Sequence, residues 1–287
     1  MSRAIVIFGS LLLLAACSSG SQQNSSATAA PSAAPAATAA ASPAATAATA
    51  APAGTAAAAA TATASANPLA MVTFTDISGT YAETAIKQEA ALGVFGKTSG
   101  TFKPFAPISR AEYVRWLVLA NNAYFRDLAN EQIRLAEADS DQSFVDLPRS
   151  NPDFKYIQGM ANSGFVIGID AHHFAPNRTL TREEMIAILT SRDYEGQPLP
   201  KAGPPSTWTN MTVPFADTSK ISKPYWGAFQ ANNGGGNSLA VDQITRIFGN
   251  TKVFDPQRPV TRGQAALAIQ SIGIHFQQRT AEQALPH

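Results

Sequence analysis

The apolar positions divide the chain into three zones. Residues 4–16 form a short run dominated by Ile, Val and Leu, preceded by Arg3. From Ser18 to about Pro68 bulky apolar side chains are almost absent, and Ala, Ser, Thr, Pro, Gly, Gln and Asn make up nearly everything. From about Met71 apolar residues return at helical spacing, first as Tyr81, Ala85, Ile86 and Ala90, then Phe154, Ile157 and Ala161, then Tyr225, Trp226 and Phe229. A second set follows each of these: Val114, Leu117 and Val118; Met185, Ile188 and Leu189; Leu267, Ile269 and Ile272. The pattern predicts paired helices in three successive segments and a mostly α fold.

The two early zones have separate readings. A segment of about 13 apolar residues is too short to span a bilayer, which takes roughly 20, and fits an export signal. It ends Leu14-Ala15-Ala16-Cys17, which resembles a bacterial lipobox, and Cys17 is the only cysteine of the chain. That resemblance implies cleavage before Cys17 and its acylation, with each buried CH2 adding about 0.8 kcal/mol to membrane anchoring. Ser18 after the cysteine points to the outer membrane, facing the periplasm, if the cell is Gram-negative. The Ala/Pro/Thr/Ser stretch that follows cannot bury enough surface to offset the entropy of ordering its backbone, and reads as a tether. The expected boundaries are a signal peptide at 1–16, lipidated cysteine and linker at 17–70, repeats at 71–140, 141–196 and 213–276, a linker at 197–212, and a tail at 277–287.

The three segments share more than periodicity. Each opens with Phe-Xaa-Asp, ending at Asp76, Asp146 and Asp217, with starts 70 and 71 residues apart. A glycine-bearing turn comes next: Gly93 to Gly96, Gly164 to Gly168, and a looser Gly234-Gly235-Gly236. Phe-Xaa-Pro then precedes an arginine at a constant spacing of 8 residues, pairing Phe102 with Arg110, Phe174 with Arg182 and Phe254 with Arg262. Ser109 with Glu112, Thr181 with Glu184 and Thr261 with Gln264 fit the capping box, in which a hydroxyl caps the N3 amide and the N3 side chain reaches back. Each arginine therefore stands in the first turn of an amphipathic helix, where helix amides and a guanidinium together suit a carboxylate or phosphate. The other reading is a structural bridge from each arginine to an aspartate of its own or a neighbouring repeat. The aspartates of Phe-Xaa-Asp are expected to be structural, capping the first helix or holding an arginine.

These motifs together resemble the S-layer homology domain family, from Phe74 to about Phe276. The resemblance implies three helical repeats in a pseudo-threefold prism that bind a cell-wall polysaccharide, often an acidic or pyruvylated glycan, in grooves between repeats. It implies glycan-binding roles for Arg110 and Arg182, and for Arg262 as the third, more divergent candidate. Arg262 sits in a motif that departs from the family, with Gly263 for Ala and Gln264 for Glu, and in the third repeat Phe215 and Phe254 lie 39 positions apart against 28 and 30 in the others.

Composition narrows the function further. A net charge of +1 with no dense basic patch argues against nucleic acid. His172-His173 lacks further ligands near by in sequence, so no metal site is expected and no cofactor is implied. Trp116 and Trp226 are expected to pack, and Leu128 to Ala138 to continue as a charged helix. No nucleophile–base pair stands out, and the repeats leave no room for a catalytic domain, so no enzyme is expected. The expected role is a lipoprotein tethering membrane to wall. The alternatives are an envelope assembly factor binding a protein such as a porin, and a carbohydrate-active enzyme with an unrecognised carboxylate pair.

Overall fold

The computed structural model describes residues 67–166, 168–195, 197–208, 215–233, 244–273 and 278–286. Cys17, the apolar segment before it, nearly all of the tether and the Gly234-Gly235-Gly236 turn lie outside these residues. The described chain is helix-rich. In order it holds β1 (Thr73–Phe74), α1 (Glu83–Ala91), β2 (Ser99–Gly100), α2 (Arg110–Tyr124), α3 (Phe154–Asn162) and α4 (Arg182–Asp193). Then come α5 (Trp226–Asn233), α6 (Arg262–Ile269), β3 (Ser271–Ile272), β4 (Arg279–Thr280) and α7 (Ala281–Ala284). No helix among the described residues is long and apolar enough to cross a membrane.

The apolar stripes of the sequence face one shared core. Ala85, Ile86, Ile157, Met185, Ile188, Leu189, Phe229, Leu267 and Ile269 are all buried in it. Trp116 is buried too, against Phe95 and Phe102 at ring distances of 4.4 and 5.7 Å, while Trp226 is partly buried and donates its indole N–H to the Ile221 carbonyl at 2.8 Å. Tyr81 departs from the stripe and is 51% exposed.

Each Phe-Xaa-Asp aspartate fastens a corner of the chain. The Asp76 carboxylate accepts the amides of Phe102 and Lys103 at 2.7 Å each. Asp146 does the same for Phe174 and Ala175 at 2.8 Å, and Asp217 for Phe254 and Asp255 at 2.8 Å. The middle residue of every Phe-Xaa-Pro is left-handed, with φ of 62° at Lys103, 58° at Ala175 and 54° at Asp255. A side chain at such a φ costs roughly 1–2 kcal/mol, and here a carboxylate anchored from about 26–38 positions earlier holds it in place. The three carboxylates thus bond backbone corners, and among the described residues none of them pairs with an arginine, nor does Asp76 or Asp146 cap the helix that follows it. The caps of α1 and α3 fall at Ala82 and Asp153, well downstream of Asp76 and Asp146. Burial acts to raise the Asp76 pKa, and the backbone amides of Phe102, Lys103 and Asp76 itself, with the charge of Lys97, together hold the carboxyl below its ordinary value.

The residues just before each arginine meet in a closed ring. Ile108 N–H donates to the Val260 carbonyl at 3.1 Å, Val260 N–H to Leu180 at 2.9 Å, and Leu180 N–H to Ile108 at 2.9 Å. All three side chains are buried. The starts of α2, α4 and α6 therefore converge on one point, each followed by a helix that runs away from it.

Three expectations change at the segment ends. Leu128 to Ala138 is not helical, because α2 stops at Tyr124 and the chain turns back through Leu128 N–H to the Phe125 carbonyl at 2.9 Å. The side chains of Asn121 and Asn122 then bond the backbone of Glu131 and Ile133 at 2.8–2.9 Å, which fastens this non-helical stretch to α2. Ile272 is in β3 rather than in a helix, since α6 ends at Ile269 and the Asp193 carboxylate takes the amide of Gly273 (φ 97°) at 2.8 Å. Residues 278–286 are no loose tail: β4 pairs antiparallel with β3, Thr280 caps α7, and Ala281, Ala284 and Leu285 are buried.

The backbone of Arg134 to Ala136 passes close to α3. A Cβ added at Gly159 would lie 2.4 Å from the Arg134 carbonyl oxygen. Backbone cannot move aside as a flexible side-chain tip can, so Gly159→Ala should cost about 2–3 kcal/mol by the scale of overpacking. Urea denaturation of the variant against wild type measures this; an unchanged midpoint would contradict the close crossing.

Candidate functional site

The three arginines occupy equivalent junctions between consecutive segments. Arg110 donates through Nε to the Phe174 carbonyl at 2.8 Å, Arg182 through Nη1 to Phe254 at 2.6 Å, and Arg262 through Nε to Phe102 at 2.8 Å. Each arginine thus grips the Phe-Xaa-Pro corner of the next segment, and the third closes on the first. Aromatic faces flank the guanidiniums: Phe174 at 4.7 Å from Arg110, Phe248 at 4.5 Å from Arg182, and Phe102 and Trp116 at 4.8 and 4.7 Å from Arg262. Such stacking is worth about 0.5–2 kcal/mol. The residues that make the third segment longer contribute here, since the helical turn at 244–248 places Phe248 over Arg182.

The backbone amides at these helix starts are not open to a ligand. Arg110 and Ala111 amides donate to the carbonyls of Arg178 and Pro176 at 3.0 Å each, Arg182 and Glu183 to Arg258 and Pro256 at 3.1 and 3.0 Å, and Arg262 and Gly263 to Ala106 and Pro104 at 2.9 and 2.8 Å. This corrects the expectation of free amides beside each guanidinium. The neighbouring segment's corner supplies carbonyls where an anion was foreseen, because docking that corner leaves its carbonyls facing the helix ends.

The capping boxes vary in completeness. Ser109 accepts the Glu112 amide at 3.1 Å. The Glu112 side chain does not reach back as the box predicts; it accepts Arg262 Nη1 from the third segment at 2.6 Å and lies 3.7 Å from Arg115. In α4 the Glu184 carboxylate accepts the Thr181 amide at 3.0 Å, and in α6 Thr261 and Gln264 bond each other's amides at 3.1 and 3.2 Å.

The motif's glutamate decides the charge of each junction. Between the first and second segments, Glu184 faces Arg110 Nη1 at 3.3 Å and is also bonded by Arg178. Between the third and first, Glu112 pairs with Arg262 at 2.6 Å. Between the second and third, the corresponding residue is Gln264, a neutral amide. Among the described residues Arg182 has no carboxylate within ion-pairing distance, and its Nε has no hydrogen-bond partner although the residue is only 6% exposed. Burial draws its pKa below the ordinary guanidinium value, and the nearby charge of Arg258 lowers it further. The arginine–glutamate pairs across two junctions are features sequence reasoning missed. The constant spacing of arginine and glutamate carried the signal, but not which segment each side chain faces.

The other departure, Gly263, also has a physical reason. A Cβ there would stand 2.9 Å from the Tyr81 hydroxyl and 3.0 Å from the Pro104 carbonyl. Glycine lets Tyr81 approach and share a 2.9 Å hydrogen bond with Thr261 Oγ1. Tyr81 and the 67% exposed Phe105 then form an exposed aromatic pair, 6.0 Å between centroids, beside the junction of the third and first segments.

His172 and His173 lie in an exposed loop, where the Asp170 carboxylate accepts both their amides and lies 2.9 Å from His173 Nδ1. Among the described residues no group of three or more His, Cys, Asp or Glu side chains is placed to hold a metal ion.

The chain is 32% identical over 201 residues to the "Surface-layer 125 kDa protein" of Lysinibacillus sphaericus, covering 68% of this chain and 14% of that protein. It is 27% identical over 220 residues to an "Endoglucanase" of Bacillus sp. (strain KSM-635), covering 72% of this chain and 19% of that protein. The chain thus spans less than a fifth of either relative. The matched family segments each run from a Phe-Xaa-Asp region into the helix that follows the motif arginine. Residues 73–114 and 143–186 of the chain match the model of the S-layer homology domain family.

Proposed function

We propose that the protein binds a cell-wall polysaccharide non-covalently through three S-layer homology repeats arranged as a pseudo-threefold prism, and that an acylated Cys17 holds its other end in a membrane. The observation that carries this reading is the closed cycle of arginine-to-Phe-Xaa-Pro junctions, in which the segment beginning at Phe215 takes the same part as the two matched ones. The "Surface-layer" relative supports placement at the cell envelope, and the exposed Tyr81–Phe105 pair offers flat apolar faces suited to sugar rings. That one relative is described as a surface-layer protein and the other as an endoglucanase supports a shared attachment module rather than a shared active site, and the protein is proposed to be no enzyme. The partner is proposed to be an acidic, peptidoglycan-linked glycan, with Arg110, Arg182 and Arg262 shaping its grooves. The membrane is proposed to be the outer one in a Gram-negative cell.

Two measurements test the ends separately. Full-length protein should sediment with purified wall sacculi, and heat-unfolded protein should not; failure of the folded protein to sediment would favour a protein partner, such as a porin, sought by crosslinking. Cys17→Ser should move the protein out of the membrane fraction after wall removal, and retention there would count against the lipid anchor.

A further inference from the structure

A group of ionisable side chains meets in the core, away from the three arginine junctions. Glu89 on α1 and Tyr113 on α2 have no exposed surface. Glu89 Oε2, the Tyr113 hydroxyl and Arg246 Nη2 are buried atoms without a hydrogen-bond partner among the described residues. The charge of Arg246 reaches Glu89, Tyr113 and Tyr124 alike. From α4, Asp193 also acts on Arg246, while its carboxylate takes the Gly273 amide at 2.8 Å. The last turn of α6 offers backbone carbonyls, that of Leu267 to Arg246 Nη1 and that of Ile269 to the Tyr124 hydroxyl. On the outer side, Arg246 shares the wall of a pocket of about 280 Å3 with Gln88 and with Glu282 of α7.

Arg246 belongs to the helical turn at 244–248, which closes with the Gly249 amide on the Thr245 carbonyl at 2.8 Å. Two residues on, Phe248 lies 4.5 Å from the Arg182 guanidinium and edge-on to Phe254 at 5.5 Å. One turn thus carries a cation toward the buried carboxyl and an aromatic ring to the junction of the second and third segments. A neutral Glu89 donates to the Tyr124 oxygen and leaves Oε2 a weak acceptor. An ionised Glu89 is a buried charge that needs a donor, and Arg246 Nη2 has hydrogens to give.

We propose that Glu89 and Arg246 form a proton-operated latch: loss of the Glu89 proton draws Arg246 Nη2 onto Oε2, and the 244–248 turn follows, lifting Phe248 from Arg182. The proton leaves to solvent by the pocket beside Arg246. The new bond is charge-assisted and about twice as strong as a neutral one, whereas Phe248 is only half-buried and holds Arg182 by one face. Burial pushes the Glu89 carboxyl up to about 8, which sets the pH at which the latch turns. The latch is independent of which polymer the protein binds.

The test uses full-length protein in detergent with 4-fluorophenylalanine in place of Phe248, followed by fluorine NMR from pH 5 to pH 9.5. The resonance should move along one titration with its midpoint near 8. Glu89→Gln should leave it still over the same range. Arg246→Met should leave it still as well, while urea unfolding across pH shows the Glu89 midpoint raised by roughly one unit or more through loss of the opposite charge. If Arg246→Met does not fold, Arg246→Lys replaces it, and its shorter reach should at least halve the movement. The latch is overturned if the wild-type resonance stays constant while stability still changes with Glu89 ionisation. It is equally overturned if Glu89→Gln or the Arg246 variant keeps the wild-type titration.

Discussion

The protein's stability is expected to fall as pH rises from about 4.5 to about 8, and Glu89→Gln is expected to remove most of that fall. Glu89 lies in α1 with no exposed surface, and its pKa is raised from 4.5 to about 8 by burial. Geometry points the same way. The Tyr124 hydroxyl lies 2.8 Å from the Ile269 carbonyl and also contacts the Glu89 carboxyl. One phenolic hydrogen cannot serve both acceptors, so a protonated Glu89 donates to the phenol oxygen while Tyr124 donates to Ile269. A carboxyl whose folded pKa is raised favours folding when it is neutral in both states. The favourable contribution is therefore fully present below the unfolded value of 4.5, declines through the window to about 8, and is gone above it. A shift of this size is worth on the order of 5 kcal/mol across the window, at about 1.36 kcal/mol per unit. Glutamine keeps a donor toward Tyr124 without a charge to bury. Met160 stands at the equivalent place in α3, its carbonyl accepting the Phe165 amide as that of Glu89 accepts Val94, so a neutral side chain fits this part of the fold. Urea unfolding of both proteins at pH 5 and pH 8 measures the effect; a flat wild-type profile, or the same slope in the variant, would contradict it.

Asp146→Ala should be the most damaging of the single changes in the corners, by about 3–5 kcal/mol. It strips acceptors from the Phe174 and Ala175 amides together, at roughly 1–3 kcal/mol for each group left unpaired. It also frees a left-handed Ala175 that the carboxylate had been holding and loosens the fully buried Phe174, on which Arg110 stacks. For a domain of this size that loss lowers Tm by roughly 10 °C. Asp146→Asn retains one acceptor oxygen and should lose about half as much. Ala175→Gly should raise stability by about 0.5–1 kcal/mol, because glycine adopts φ of 58° without the Cβ penalty. Thermal denaturation of the three variants ranks them, and an Ala variant no worse than the Asn variant would contradict the two-amide clamp.

The sequence made the repeating elements legible and left their relations hidden. Local rules found the helices, since capping residues and apolar periodicity act within one or two turns. The spacing of Phe-Xaa-Pro to arginine placed each guanidinium in a first helical turn, where α2, α4 and α6 begin at Arg110, Arg182 and Arg262. What each arginine reaches is a contact 64 to 160 residues away, and no periodicity encodes it. The reach of the aspartates is hidden for the same reason: the Phe102 amide that Asp76 accepts is invisible to a rule that looks three residues ahead. Residues 128–138 resemble a charged helix by composition, yet two asparagines on α2 take up the backbone of Glu131 and Ile133 and hold them out of one. Gly263 and Gln264 were legible as departures from the family pattern, but their meaning depends on Tyr81 and Arg182, residues of other segments.

The central claim is tested most directly by sedimenting full-length protein with two preparations of purified sacculi, one intact and one stripped of its acid-labile polysaccharide. Binding to intact sacculi that is lost on stripping, and restored when the released polymer is coupled to a resin, is the predicted result. Equal sedimentation with both preparations, or with neither, would contradict a protein that holds the wall by an acidic polymer.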